Sequence, residues 1–329
     1  MNEYGWQRQQ LVVMENELLR VGVLASKGAD IVEMRYKPRD LDVLWHAAQP
    51  VLSPAEYVPT APLAAGSFLD YYAGGWQEIL PSAGPGTTVL GAPLGMHGEV
   101  SLLPWDVRVI CDTAERVEVE FSVETMRTPF RIRRRMILES GAARLRLEED
   151  LHNLGEESVP FAWGHHPVFG PPFLAEGCTI ELPPCQVEVP AYSEGLKRRF
   201  AMGGPSPFPE LAGIDGQPQR MDIVQSKESR SEDVLLLSGF AEGWWKLRNA
   251  ARDLTLGLAW DARAFPYLWC WQMYGGHWGY PDFGRSFALG LEPFNCPILP
   301  LAECAERKIA RFLAAGEGLT TALEFTISD

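Results

Sequence analysis

Two adjacent imidazoles, His165 and His166, sit in the segment Trp163-Gly164-His165-His166-Pro167-Val168-Phe169-Gly170. Imidazole has the ordinary side-chain pKa nearest neutrality, so a fixed histidine is a natural proton donor or acceptor. A histidine at a strand end also serves as a hydrogen-bonded structural residue, and only its surroundings separate the two uses. Glu292 ends an apolar run and stands directly before Pro293, which holds it in an extended conformation and fixes the direction of its side chain. Carboxylates are seldom buried without a partner or a purpose. Glu292 is therefore either a surface residue at a strand end or a group placed for chemistry. His97 lies between Met96 and Gly98, where a glycine lets backbone and ligand approach closely.

Other chemistries leave weaker traces. His97, Glu99, His165 and His166 are metal-ligand types, but they lack a tight ligand spacing, and adjacent histidines on a strand point to opposite faces. No metal or other cofactor is expected. No glycine loop that would cradle a phosphate and no nucleophile elbow is present. Of the 11 tryptophans, Trp76, Trp163, Trp269 and Trp271 fall near the candidate segments. Most tryptophans are core residues, although their faces also stack on the C–H faces of sugars.

These residues hang on strands. Val117, Val119, Phe121 and Val123 alternate with Glu118, Glu120 and Ser122, the period-two pattern of a half-buried strand. Phe130, Ile132, Arg134, Met136 and Leu138 form one face of the next strand, with Arg131, Arg133 and Arg135 on the other, opposite Glu118 and Glu120. Leu145, Leu147, Glu149 and Leu151 continue the series, and Val159 to Trp163 then predicts a short strand whose exit carries the histidines. The segments 71–81 and 93–100 read as aromatic loops at the rim of a site. Residues 46–70 read as a long irregular excursion. Tyr267 to Gln272 is apolar on both faces and reads as a central strand. Helix is expected only near Ser53–Tyr57 and Ala302–Ile309.

The fold class is all-β, a large antiparallel β-sandwich, with residues 1–329 expected to form a single domain. Length alone suggests about two domains at ~150 residues each, but all-β folds often exceed that size as one unit. The formal net charge of −14 argues against nucleic acid or an anionic membrane as partner. No run approaches the ~18 apolar residues of a membrane span. The six cysteines form no CxxC pair, which suits a reducing compartment, so a cytoplasmic protein is expected, as a monomer or homodimer.

Met96-His97-Gly98, Gly164-His165-His166-Pro167-Val168-Phe169 and Leu291-Glu292-Pro293-Phe294 together resemble, in order and spacing, the aldose 1-epimerase (galactose mutarotase-like) superfamily. The N-terminal strands leading into Val43-Leu44-Trp45, and Gly316-Glu317-Gly318 before a last strand, fit as well. The resemblance covers nearly the whole chain. It implies a β-sandwich enzyme without a cofactor that interconverts the α and β anomers of a hexose or related sugar. His166, three residues before Phe169, takes the place of the catalytic histidine and Glu292 that of the catalytic carboxylate. His97 takes the place of a substrate-binding histidine, and His165, Gln77 and Gln272 complete the expected sugar contacts. The sequence departs from the hexose-6-phosphate epimerases of the superfamily. Ala73 and Ser101 stand where those carry arginines, which speaks against a 6-phosphate. The arginine of the free-sugar mutarotases near Gly74-Gly75 is also missing. Two other readings use the same residues: a carbohydrate-binding protein without turnover, and a metal-dependent sugar isomerase.

Overall fold

The computed structural model describes residues 1–6, 9–55, 57 and 67–329. Two large sheets dominate, and strands pair antiparallel throughout both. The middle of the larger runs, in spatial order, through Asp30–Tyr36, Trp76–Ile79, Gly164–Phe169, Phe287–Phe294, Tyr267–Tyr274 and Ser231–Ser238. The smaller has Gly318–Ser328 and Arg144–Asn153 at its centre, followed by Phe130–Glu139 and Arg116–Glu124. This is the expected β-sandwich.

Alternation decides what each face carries. Leu145, Leu147, Glu149 and Leu151 point into the space between the sheets with Phe130, Ile132, Arg134, Met136 and Leu138. Their neighbours Arg133 and Arg135 face outward and pair with Asp150 at 3.4 Å and Glu120 at 3.0 Å. The larger sheet buries both faces, which explains why Tyr267–Tyr274 carries apolar residues on both, with Gln272 the polar exception. Leu268, Cys270 and Tyr274 join the inter-sheet core, while Trp269 and Met273 join a second cluster on the far side. Phe68, Tyr72, Ala83, Leu94, Ile298 and Leu301 close that second cluster from above. They come from the connections between strands, including the helices Phe68–Tyr71 and Leu301–Glu306.

Several local expectations are corrected. The histidines do not mark the exit from a strand. Val159–Phe161 pairs only with Arg311–Leu313, and Gly164–Phe169 is a separate strand in the middle of the larger sheet. Gly164 allows that entry, because a Cβ there would lie 2.1 Å from the ring of Phe294 on the next strand. Trp76–Ile79, read as loop, is the strand on the other side of the histidines, and all four of its residues are buried. Glu292 lies within Phe287–Phe294, where Pro293 sits opposite Leu268. Near Ser53–Tyr57 a single turn replaces the expected helix, with Tyr57 N–H donating to the Ser53 carbonyl at 2.9 Å, and Glu56 lies outside the described residues. Of the excursion at 46–70, residues 56 and 58–66 lie outside them too. No described helix is long and apolar enough to cross a membrane.

Candidate active site

The histidine strand and the glutamate strand are antiparallel neighbours, with Gly164 opposite Phe294 and Val168 opposite Gly290. That register sets His166 directly across from Glu292, on the face away from the inter-sheet core. Nε2 of His166 is 3.6 Å from Oε1 of Glu292. Gly290 makes room for the carboxylate, since a Cβ there would fall 2.2 Å from the same oxygen. The two groups thus stand side by side.

A cavity of about 320 Å³ opens over this pair, within the size range of small-molecule sites. Tyr72, from the turn after the first helix, brings its hydroxyl to 3.4 Å from Nδ1 of His166. His97 packs its ring edge-on against His166 with centroids 5.2 Å apart, and against Phe68 at 4.4 Å. Its backbone is left-handed at φ 61°, and the following Gly98 at φ 70° brings the chain too close to Leu80 for any side chain. Strain of this kind persists where the surroundings over-determine a position, commonly at functional sites. Trp269 and Trp271 supply cavity walls. Across the cavity, Nδ1 of His277 lies 3.1 Å from Oε2 of Glu232, whose other oxygen accepts from the Trp271 indole at 3.3 Å. Tyr280 ties the His277 loop to the first helix by donating to Asp70 at 2.6 Å.

Burial sets the protonation states. It pushes the Glu292 carboxyl well above its usual range. It pushes His166 well below the usual imidazole value, helped by neighbouring His97, which is itself held down to about 4. Oε1 of Glu292 and Nδ1 of His97 are buried with no hydrogen-bond partner among the described residues. Buried polar atoms of this kind are normally satisfied, and here a ligand would supply the partners. His277 is the opposite case, raised to about 9 chiefly by its hydrogen bond to Glu232.

Three expected sugar contacts do not line the cavity. His165 alternates with His166 and faces the inter-sheet core, fully buried. The Trp76 indole donates to its Nδ1 at 3.3 Å, so a neutral ring carries its hydrogen on Nε2, which points at Glu149 Oε2 at 3.1 Å. Gln272 alternates with Trp271 in the same way. Its amide donates to the Met221 carbonyl at 2.7 Å and accepts from Arg199. Gln77 shares the face of His166 but lies beneath it, donating to Asp30 at 3.2 Å and to the Gly74 carbonyl at 2.7 Å. The metal-ligand types are likewise split. Glu99 accepts from the backbone N–H groups of Met126 and Arg127 at 3.0 Å, and His165 faces away from His97 and His166. Trp76 and Trp163 belong to the interior.

Sequence reasoning missed Tyr72, Glu232, His277 and Asp282, which all line the cavity. Tyr72 and Glu232 had a signal available. Glu232 and Asp233 are acidic residues directly before the apolar run Val234 to Leu237 of the strand Ser231–Ser238, and Tyr72 sits in a cluster of aromatics. His277 and Asp282 sit in the loop between two strands and carried none.

The architecture has solved counterparts. A Klebsiella pneumoniae protein, provisionally described as an aldose 1-epimerase, superposes with a TM-score of 0.77 at 16% identity, over 98% of this chain and 81% of that one. The Slr1438 protein of Synechocystis gives 0.69 at 17% identity, over 100% and 99% of the two chains. A galactose mutarotase related enzyme of Lactobacillus acidophilus gives 0.64 at 16%, over 97% of each. The fold is therefore the galactose mutarotase-like β-sandwich. Within it, the chain belongs to the family described as a domain of unknown function, DUF4432, whose profile matches residues 7–327. No curated protein sequence matches it.

Proposed function

We propose that this protein is a mutarotase, an isomerase that interconverts the α and β anomers of a free hexose or related aldose without a cofactor. The observation that carries the reading is the 3.6 Å pairing of His166 and Glu292 at the floor of one cavity. The ring oxygen and the anomeric hydroxyl of a sugar are bonded to the same carbon. A donor and an acceptor held side by side can serve both at once. Glu292 takes the proton of the anomeric hydroxyl, and His166 gives one to the ring oxygen. The C1–O bond to the ring opens, the C1–C2 bond turns, and the ring recloses with the roles reversed.

Burial leaves one proton shared by the pair and neither group charged. The productive imidazolium and carboxylate form when that proton crosses from Glu292 to His166 and sugar hydroxyls hydrogen-bond the carboxylate. His97 orients the ring oxygen beside His166. Trp269 and Trp271 offer faces to the C–H surface of the sugar. One domain suffices for this chemistry, and the six unpaired thiols fit a cytoplasmic setting.

The test is exchange NMR between the two anomeric protons on a panel of aldoses, with chelator present. Saturation transfer should depend on the protein and fall by ~10²–10⁴ in Glu292→Gln and His166→Ala. Transfer that survives both substitutions would refute the assignment. Sugar binding without transfer would leave a binding protein, and activity lost to chelator would leave a metal-dependent isomerase.

A further inference from the structure

The cavity wall divides by chemistry. Its hydrogen-bonding side chains fall into two groups, His166 with Glu292, Tyr72 and His97, and His277 with Glu232 and Asp282, with the Tyr192 hydroxyl besides. Leu69, Met96, Leu196, Val234 and Ile298 are among the apolar residues that line the rest, and among the described residues no lysine or arginine lines it. The imidazolium of His277 is not free for a ligand, because Glu232 takes Nδ1 and the Tyr280 carbonyl lies 3.0 Å from Nε2.

In the mutarotase reading, on which this inference rests, the ring oxygen lies at His166 and the anomeric hydroxyl at Glu292. The ring oxygen joins two carbons. The anomeric carbon is on the side of Glu292, so the other falls on the side where His97 packs. That flank is apolar. Phe68 touches the His97 ring, Ala83 receives its backbone N–H at 3.3 Å, and Met96 precedes it. With His97 turned to the ring oxygen, no described side chain on that flank can bond a hydroxyl, and none can offset a negative charge. A buried hydroxyl left unpaired is costly, and an unpaired buried anion far more so.

We propose that the substrate carries hydrogen or methyl on the ring carbon next to the ring oxygen, opposite the anomeric carbon. The substrate class is an uncharged 6-deoxyhexose or pentose, and hydroxymethyl, phosphate, sulfonate and carboxylate substituents at that carbon are selected against.

The experiment uses the intact protein and matched triplets that differ only at C6: 6-deoxyhexose, parent hexose and hexose 6-phosphate, each in the gluco, galacto and manno series. Anomeric exchange gives kcat/KM, and calorimetric titration gives affinity separately. In the preferred series the deoxy sugar should exceed its parent by about tenfold or more in kcat/KM, the scale on which a pocket discriminates single groups. The phosphate should give no turnover. Met96→Gln keeps side-chain length and adds an amide, so it should shrink the deoxy-to-parent ratio while the deoxy sugar is still turned over. A parent hexose turned over as well as its deoxy form, or any turnover of the phosphate, overturns the inference while leaving the mutarotase reading intact. Tighter binding of the deoxy sugar with no exchange keeps the inference and removes the mutarotase reading. Failure of every sugar to bind overturns both.

Discussion

His165 and His166 are neighbours in one strand, yet they occupy different worlds. His166 faces a cavity and stands with Glu292, whose buried oxygen has no partner. His165 faces a sealed interior where Glu78, Glu149 and Arg134 surround it, all at most 3% exposed. Arg134 reaches Glu78 at 3.4 Å and also holds the Ala29 carbonyl, and the Trp163 indole donates to Glu78. Nearby, Lys27 pairs with Asp30. Two carboxyls, one guanidinium and a neutral imidazole balance in charge if the carboxyls share one proton. The lesson is that buried ionisable groups alone do not mark a site. Both sets keep buried atoms without a partner among the described residues, Glu149 Oε1 and Arg134 Nε inside and Glu292 Oε1 outside, but the outer pair lines a cavity of about 320 Å³ and the inner side chains are sealed between the sheets.

The largest expected effect tests that contrast directly. Arg134→Met should destabilise the fold by about 3–5 kcal/mol, because it strands buried carboxyls without their cation. Glu292→Gln should leave stability within about 1 kcal/mol of the parent, or raise it, since an amide replaces a carboxyl that burial already keeps protonated. Urea denaturation of both variants checks this. Equal losses would mean that the outer pair is as structural as the inner cluster.

The inner cluster should also show itself in pH. Burial, with the mutual repulsion of the pair, raises Glu78 to about 8, and burial raises Glu149 to about 7, from the usual 4.5. The folded chain then holds protons that the unfolded chain has lost, so stability declines as pH rises from 4.5 through about 8. His277, raised to about 9, adds stability that is complete below the unfolded value of 6.5 and is lost as pH rises through 9. Above the unfolded histidine value the buried neutral His97, His165 and His166 no longer oppose this, so thermal midpoints should fall from about pH 7 to pH 9, and Glu78→Gln should flatten the slope. A rising midpoint over that range would show that the cluster is not protonated as described.

A smaller effect separates the two histidines. His165→Asn should cost about 1–3 kcal/mol by leaving Glu149 and the Trp76 indole without their partner. At a temperature where it remains folded, it should keep anomeric exchange within about tenfold of the parent. Loss as deep as that of His166→Ala would place His165 in the chemistry after all.

Much of this was legible in the sequence. Alternation around Val117 to Leu151 gave the sandwich, and the three short motifs gave His166, Glu292 and His97, all of which line one cavity. The same period-two rule, carried through, would have turned His165 and Gln272 inward, since each adjoins a residue assigned to the cavity. The rest depends on long-range geometry. That Trp76–Ile79 is a strand is decided by pairing with residues 164–167, not by its own pattern. Gln77 is drawn away from a ligand by Asp30, a partner 47 residues distant that no local signal reveals. His277 and Asp282 enter the site because their loop folds back and Tyr280 fastens it to Asp70, 210 residues earlier.

The smallest expected effect concerns how His166 is held. The Tyr72 hydroxyl is 3.4 Å from Nδ1, a long contact, and burial keeps the phenol well above its ordinary pKa and so protonated. Accepting from Nδ1–H, it leaves the lone pair of a neutral His166 on Nε2, the nitrogen that faces Glu292 and takes its proton. Tyr72→Phe keeps the ring that packs on Phe68 and removes only this acceptor. A single neutral hydrogen bond contributes about 0.5–1.5 kcal/mol, so kcat/KM should fall by about two- to tenfold. Both tautomers then become available, and the loss should appear in kcat more than in KM, because the hydroxyl orients the donor and does not hold the sugar. A loss matching His166→Ala would instead make Tyr72 a proton donor in its own right, and the outer face would then be a triad in place of the pair inferred from the sequence.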